Sequence, residues 1–312
     1  MPLQKTHATI AIITCRRPLW LKRLLESLIK QQVSSNVILN IIVVDNAGEK
    51  STLDVVNELT LTSPFTITYH HEASPGIVFA RNRCVSEFLK TTAENLFFID
   101  DDEWPESNQW VQKLLDKQIE YNADVMTSHV ISVGGEGTPE WAIDLIYGKN
   151  KLVEADKVNV FYTNNLLISR TVLEKVNPPF DNRFAMTGAS DYHFALKCQK
   201  AGFNAFYTNA PVLEEFPKSR ATVKWFLKRG FRSGIGFTRS HLFEDSLIKA
   251  IFHCTLMSGI RFIRGIGYCV IGAVTLNKTT FVDGLFRLCS AVGTIAGFFG
   301  IKHNEYNTIH GQ

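Results

Sequence analysis

Residues 96–103 read Leu-Phe-Phe-Ile-Asp-Asp-Asp-Glu: an apolar run ends in four consecutive acids. Carboxylates this close repel one another at neutral pH, so the cluster calls for a cation. Oxygen donors suit hard divalent ions such as Mg²⁺ and Mn²⁺. Alternate residues of an extended segment share a side. Asp100 and Asp102 are therefore expected to face one site, with Asp101 pointing away. Spacing alone fits a solvated acidic turn equally well, its charge favouring the dipole of the helix that follows.

Other reactive side chains are spread along the chain. Thr14, Cys15, Arg16 and Arg17 follow the apolar run 8–14, and Asp45 and Asn46 follow the run 37–44. Arg81 and Asn82 lie in the early turns of a helical pattern that begins after Pro75-Gly76; an arginine there can pair with a carboxylate or phosphate. Asp191 starts another helical pattern after Thr187-Gly188-Ala189. It either caps that helix or serves as a general base. Arg229 and Arg232, at i and i+3, share a helix face and suit a diphosphate or an anionic lipid. Solvated arginines fit that pattern as well.

The positions of these residues follow from the elements around them. The runs 8–14, 37–44 and 96–99 are continuous and rich in β-branched or aromatic residues, as strands buried on both faces are. Helical periodicity fills the gaps: Pro18 opens a helix carrying Leu21, Leu24, Leu25 and Leu28, and further helices are expected at about 76–90 and 108–121. This alternation predicts an α/β fold with a mostly parallel central sheet. Ligands then bind beyond the carboxyl ends of the strands, where Thr14, Asp45 and Asp100 all fall. Residues 124–132 read as one strand, 164–170 and 203–208 as two more, and 190–201 as a helix.

The chain has 312 residues, 45% of them apolar, and a formal charge of +3. That charge is too small to argue for nucleic acid, and none is expected as a partner. Seven of the basic residues cluster between Lys218 and Arg239 with no acid among them. The six cysteines form no Cys-x-x-Cys pair and are expected to be reduced thiols. No secretory signal is expected at the start of the chain. Beyond about residue 245 the composition turns apolar, with uncharged runs at 265–276 and 288–301. Each is short for a span, so two weak spans and two helices lying in the membrane interface fit equally well, and a helical extension packed on the main domain is the plain alternative. The expected division is a catalytic domain over 1–215, a basic helical segment over 216–245 closing the site, and a membrane-associating helical extension over 246–312.

These elements, in order, are Thr-x-Arg-Arg-Pro, Val-Asp-Asn, Pro-Gly-x-x-x-Ala-Arg-Asn, Phe-Ile-Asp-Asp-Asp-Glu and a Gly-x-Ser-Asp helix start. Together they resemble family 2 glycosyltransferases of the GT-A fold over residues 7–240. They are most similar to the bacterial glucosyltransferases of exopolysaccharide and surface-glycan assembly. The resemblance implies an inverting transfer from a nucleotide-diphosphate sugar to a hydroxyl of a glycan or lipid-linked glycan. It implies Asp191 as the base and Asp102 as the ligand of a divalent cation, Mn²⁺ or Mg²⁺. Thr14, Arg16, Asp45, Arg81, Asp100, Asp101, Arg229 and Arg232 are implied on the donor side: Asp45 for the nucleotide base, Asp100 for the ribose or sugar, and the last two for the leaving diphosphate. Many relatives have Glu-Asp where this chain has Ser190-Asp191, which puts an acceptor contact in doubt. The implied location is the inner face of the cell membrane, held peripherally from the cytoplasm. Two other classes compete: a non-catalytic glycan- or nucleotide-binding protein at the membrane surface, and a nucleotidyltransferase. The latter usually has a glycine-rich loop after its first strand, where this chain has Thr-Cys-Arg-Arg-Pro-Leu-Trp.

Overall fold

The computed structural model describes residues 5–146 and 150–301. The chain opens with β1 (Thr6–Thr14), α1 (Pro18–Leu28), β2 (Val37–Asp45), α2 (Lys50–Thr60), β3 (Thr66–His71), α3 (Ile77–Leu89) and β4 (Asn95–Asp100). It continues through β5 (Glu103–Pro105), α4 (Trp110–Glu120), β6 (Val125–Thr127), β7 (Val130–Gly134) and α5 (Glu140–Ile146). Then follow β8 (Asn165–Ser169), α6 (Arg170–Lys175), α7 (Ser190–Lys200), β9 (Ala205–Tyr207) and β10 (Val212–Phe216). Three long helices close the described chain: α8 (Val223–Glu244), α9 (Leu247–Val274) and α10 (Lys278–Phe298).

Seven strands form the central sheet in the order β3-β2-β1-β4-β8-β6-β9. All neighbours are parallel except β8, which runs antiparallel to β4 and β6. The expected mostly parallel α/β fold is the observed one. Its core lies on both faces of the sheet. On one, Ile10, Ile12, Phe97 and Ile99 pack against Leu21, Leu24, Leu25 and Leu28 of α1. On the other, Ala11, Phe98 and Leu166 meet Val78, Cys84 and Phe88 of α3. Burying each of these leucines and phenylalanines is worth roughly 1.5–3 kcal/mol, which anchors both helices and the strand ends they flank.

The order reverses at β1, whose neighbours are β2 and β4. Such a switch point opens a crevice at the carboxyl ends of the strands. The register sets what lines it: Thr14 pairs with Asp45 across β1 and β2, and Ile13 with Asp100 across β1 and β4.

Residues 124–132 are two strands rather than the single one expected. The break falls at Ser128-His129, where the chain leaves the central sheet so that β7 can pair with β10 in a second sheet ordered β5-β10-β7. The strand β3 forms one edge of the central sheet. The six cysteines are free thiols.

At the C-terminal end the helices extend well beyond the uncharged runs. α10 packs along α8 so closely that a side chain on Gly234 would collide with the backbone of Ser290, and one on Gly293 with that of Phe231. Thr238 on α8 donates to the Thr294 carbonyl on α10 at 2.7 Å. α9 lies outside this pair and leaves Leu247, Ile248, Phe252, Leu256, Phe262 and Ile263 exposed. Residues 302–312 of the expected apolar extension lie outside the described residues.

Candidate active site

The acidic segment sits at the end of β4, beside the end of β1. Alternation stops there, because the chain turns at residues 101 and 102 before β5 begins. Asp101 therefore does not point away as expected. Its Oδ2 accepts the Thr14 hydroxyl at 2.8 Å and its Oδ1 accepts Arg17 Nη1 at 2.9 Å. The same Nη1 stands 3.3 Å from Asp102 Oδ2. Arg220, just after β10, approaches Asp102 at 3.9 Å and Glu214 at 3.7 Å.

These carboxyls are crowded and largely buried. Burial pushes Asp101 up to about 7 despite the adjacent Arg17 charge. Burial also pushes Asp100 up to about 6; Arg81 opposes this, and Asp102 and Asp191 add to it. Glu103 is held well above the usual carboxylate range by burial and then by Asp100 and Glu214. Its Oε2 accepts the Asp100 N–H at 3.1 Å, while its buried Oε1 has no hydrogen-bond partner among the described residues. Three arginines, Arg17, Arg81 and Arg220, thus stand against five carboxyls, Asp100, Asp101, Asp102, Glu103 and Glu214. An all-oxygen donor set short of positive charge fits a hard divalent cation, which takes one or two protein carboxylates and fills its shell with phosphate and water. No group of three or more potential ligands is pre-arranged among the described residues.

Arg81 connects this cluster to the start of α7. It is 5% exposed, and its Nη1 donates to Ser190 Oγ at 2.8 Å, across 109 residues of sequence. Asp191 follows Ser190 in the first turn of α7. Its Oδ1 accepts the N–H of Tyr192 at 2.9 Å, and its charge is felt at Asp100 and at the exposed Tyr162. Ser190 gives Arg81 a neutral acceptor. Its guanidinium charge therefore acts on Asp100 and is not spent on a carboxylate at position 190.

The remaining expected residues take other positions. Asp45 is fully buried: Oδ1 accepts the Ala47 N–H, and Oδ2 accepts the Glu49 N–H and the Tyr69 hydroxyl. Arg16 adopts a left-handed backbone, φ 58°, which turns its side chain out to Glu49 at 3.4 Å. Arg17, not Arg16, thereby reaches the acidic segment. Arg229 stacks on Trp225 and lines a cavity of about 290 Å³ with Asp144, Tyr268, Asp283 and Arg287. Arg232 is half-buried on the same helix. Beyond β10, Arg220 is placed against Asp102. Sequence periodicity pointed past it, since Arg220 lies in a short turn and not on the helical stripe.

Comparisons with known proteins agree with the fold. The succinoglycan biosynthesis protein ExoM of Rhizobium meliloti (strain 1021) is 29% identical over 309 residues, covering 98% of this chain and 97% of its own. The mannosyltransferase PcManGT from Pyrobaculum calidifontis, solved with GDP-Man and Mn²⁺, superposes with a TM-score of 0.65 at 16% identity, over 94% of this chain and 88% of that one. Residues 1–349 of S. aureus TarS, solved with UDP-GlcNAc, give a TM-score of 0.53 at 13% identity, over 98% and 95%. Both structures share the fold. The family described as "Glycosyl transferase family 2" matches residues 9–176, more than half of the chain and including both acidic strand ends. The chain therefore belongs to glycosyl transferase family 2, and the crevice at the β1–β4 switch point is set in a glycosyltransferase fold.

Proposed function

We propose that this glycosyltransferase moves a sugar from a nucleotide-diphosphate sugar to a hydroxyl of a glycan or lipid-linked glycan in cell-surface polysaccharide synthesis, with inversion at the anomeric carbon. The observation that carries the proposal is the 2.8 Å bond from Arg81 to Ser190, which brings the acidic strand end and the start of α7 into one crevice. The ExoM relative, named for succinoglycan biosynthesis, supports the polysaccharide setting.

The donor lies across the strand ends, against Thr14, Asp100 and Asp101, with Asp45 and Arg16 toward the nucleotide end and Arg81 beside the sugar. Asp102, with the neighbouring carboxyls, would hold Mn²⁺ or Mg²⁺. When bound, the ion neutralises charge on the leaving diphosphate as a Lewis acid. Arg17 and Arg220 hold the acidic residues in place and add positive charge at the same point, and Arg229 and Arg232 extend that field along α8. Asp191 accepts the proton of the acceptor hydroxyl as that oxygen attacks the anomeric carbon. Such general-base help is worth about 10²–10⁴-fold in rate.

In this reading residues 1–215 form the catalytic domain, 216–245 close the site, and 246–312 attach the protein to a lipid surface. Attachment is peripheral, on the cytoplasmic face. The outward side of α9 supports it: two helices are long and apolar enough to cross a membrane, yet α9 carries Lys249, Arg261 and Arg264 along its length, which suits a helix lying in the interface.

The test is a screen of nucleotide sugars for Mn²⁺-stimulated hydrolysis. One donor hydrolysed faster with Mn²⁺ supports the reading. No turnover of any nucleotide sugar, with binding retained, favours a non-catalytic binding protein.

A further inference from the structure

Asp191 is aimed by backbone, because the hydrogen bond described for its carboxylate comes from the adjacent Tyr192 N–H. The turn before it is unusual. Gly188 and Ala189 both have left-handed backbones, φ 72° and 69°, and no side chain caps α7. A left-handed alanine costs about 1 kcal/mol, so something must hold this turn.

Helix α8 meets it at three points. Arg239 Nη1 donates to Thr187 Oγ1 at 2.6 Å, and its Nη2 to the Arg183 carbonyl at 2.9 Å. Gly236 lies directly under Ala189, where any side chain on the glycine would strike the alanine methyl. His241 Nε2 is 3.0 Å from the Tyr192 hydroxyl, and its Nδ1 is 2.7 Å from Asp245 Oδ2. A carboxylate only accepts, so Nδ1 carries the proton and Nε2 accepts from Tyr192.

Arg239 is 7% exposed, yet among the described residues no carboxylate pairs with it; it packs on the faces of Phe184 and Phe243. A buried guanidinium without an anion is costly, and its donors are used on the loop that precedes Asp191. α10, packed along the opposite side, braces the helix that makes these contacts.

We infer that α8 clamps the turn bearing Asp191, and that Arg239 and His241 are positioning residues that set the aim of this carboxylate. The inference rests on the reading of Asp191 as the base. A misplacement of about 1 Å can cost up to about 100-fold in rate without touching the reacting groups.

The test uses the full chain and the nucleotide sugar that gives Mn²⁺-stimulated hydrolysis, with donor affinity measured by titration. Arg239→Met and Tyr192→Phe are each expected to lower turnover about 10-fold or more while donor affinity stays within about twofold. In an Asp191→Asn background the same changes should cost nothing further, because there is no base left to aim. A merely structural role would shift donor affinity or multiply the losses. Should Arg239→Met not fold, Thr187→Val removes one of its partners with little change in shape. Normal turnover in these variants beside an inactive Asp191→Asn overturns the clamp alone. Normal turnover in Asp191→Asn overturns the base reading and the clamp with it.

Discussion

Arg17 and Asp101 form an ion pair at 2.9 Å, joining the loop after β1 to the end of β4 across 84 residues of sequence. The pair is largely buried, with side chains 16% and 6% exposed. Breaking a buried pair from one side costs about 3–5 kcal/mol where the charge left behind stays ionised, and the low end applies here because burial lets Asp101 take up a proton. Arg17→Met is therefore expected to lower stability by about 3 kcal/mol in metal-free denaturant titrations. Mn²⁺ should restore part of the loss, since it supplies the missing positive charge. An unchanged midpoint, or a loss that Mn²⁺ leaves untouched, contradicts this role.

Asp102→Ala should abolish the metal dependence of donor binding. Affinity for the nucleotide sugar in Mn²⁺ is expected to fall to the value found with chelator. Equal affinity in wild type and variant, each with Mn²⁺, would remove Asp102 from the metal site.

The contrast between Arg17 and Arg16 indicates how far the sequence could be read. The parallel sheet was legible because buried strands have unbroken apolar runs, and the acidic crevice because its residues fall at strand ends. Which of two adjacent arginines turns inward was not legible. It depends on a left-handed backbone at Arg16 that no residue type announces. Asp101 was misplaced for a related reason: alternation holds only while the strand lasts, and β4 ends at Asp100. Residues 124–132 looked like one strand because apolar content is similar on both sides of Ser128-His129, although the two halves pair in different sheets. The contacts of α8 with the turn before Asp191 join residues about 50 apart, beyond the reach of local periodicity.

His193 gives a pH signature. It is 1% exposed, with Nε2 2.9 Å from Glu244. Burial lowers its affinity for a proton, and this outweighs the Glu244 carboxylate. Its folded pKa lies below the unfolded value of about 6.5, so the native state binds fewer protons. The stabilisation is present above about pH 6.5 and is lost as pH falls below it. His70, His129 and His241 are lowered in the same direction, so the informative quantity is a difference. The stability gap between wild type and His193→Gln should narrow from pH 8 to pH 5. A gap that is constant or widens with acid would reverse the sign.

The exposed face of α9 should carry membrane attachment. Phe252 and Ile263 are each 72% exposed and contribute little to the fold. Phe252→Glu with Ile263→Glu is expected to move the protein from the vesicle pellet to the supernatant, with Mn²⁺-stimulated donor hydrolysis retained. Deleting residues 246–312 is a poorer test, because it strips α10 from α8. Undiminished sedimentation of the double variant with vesicles would place attachment elsewhere.

The central claim is that Asp191 takes the acceptor proton within a crevice built by Asp100, Asp102 and Arg81. The direct measurement is the turnover of Asp191→Asn at saturating nucleotide sugar with Mn²⁺, beside a titration of donor affinity. The account predicts a fall of about 10²–10⁴-fold in turnover with donor affinity unchanged. Turnover at the wild-type rate, or a loss explained wholly by weaker donor binding, would contradict it.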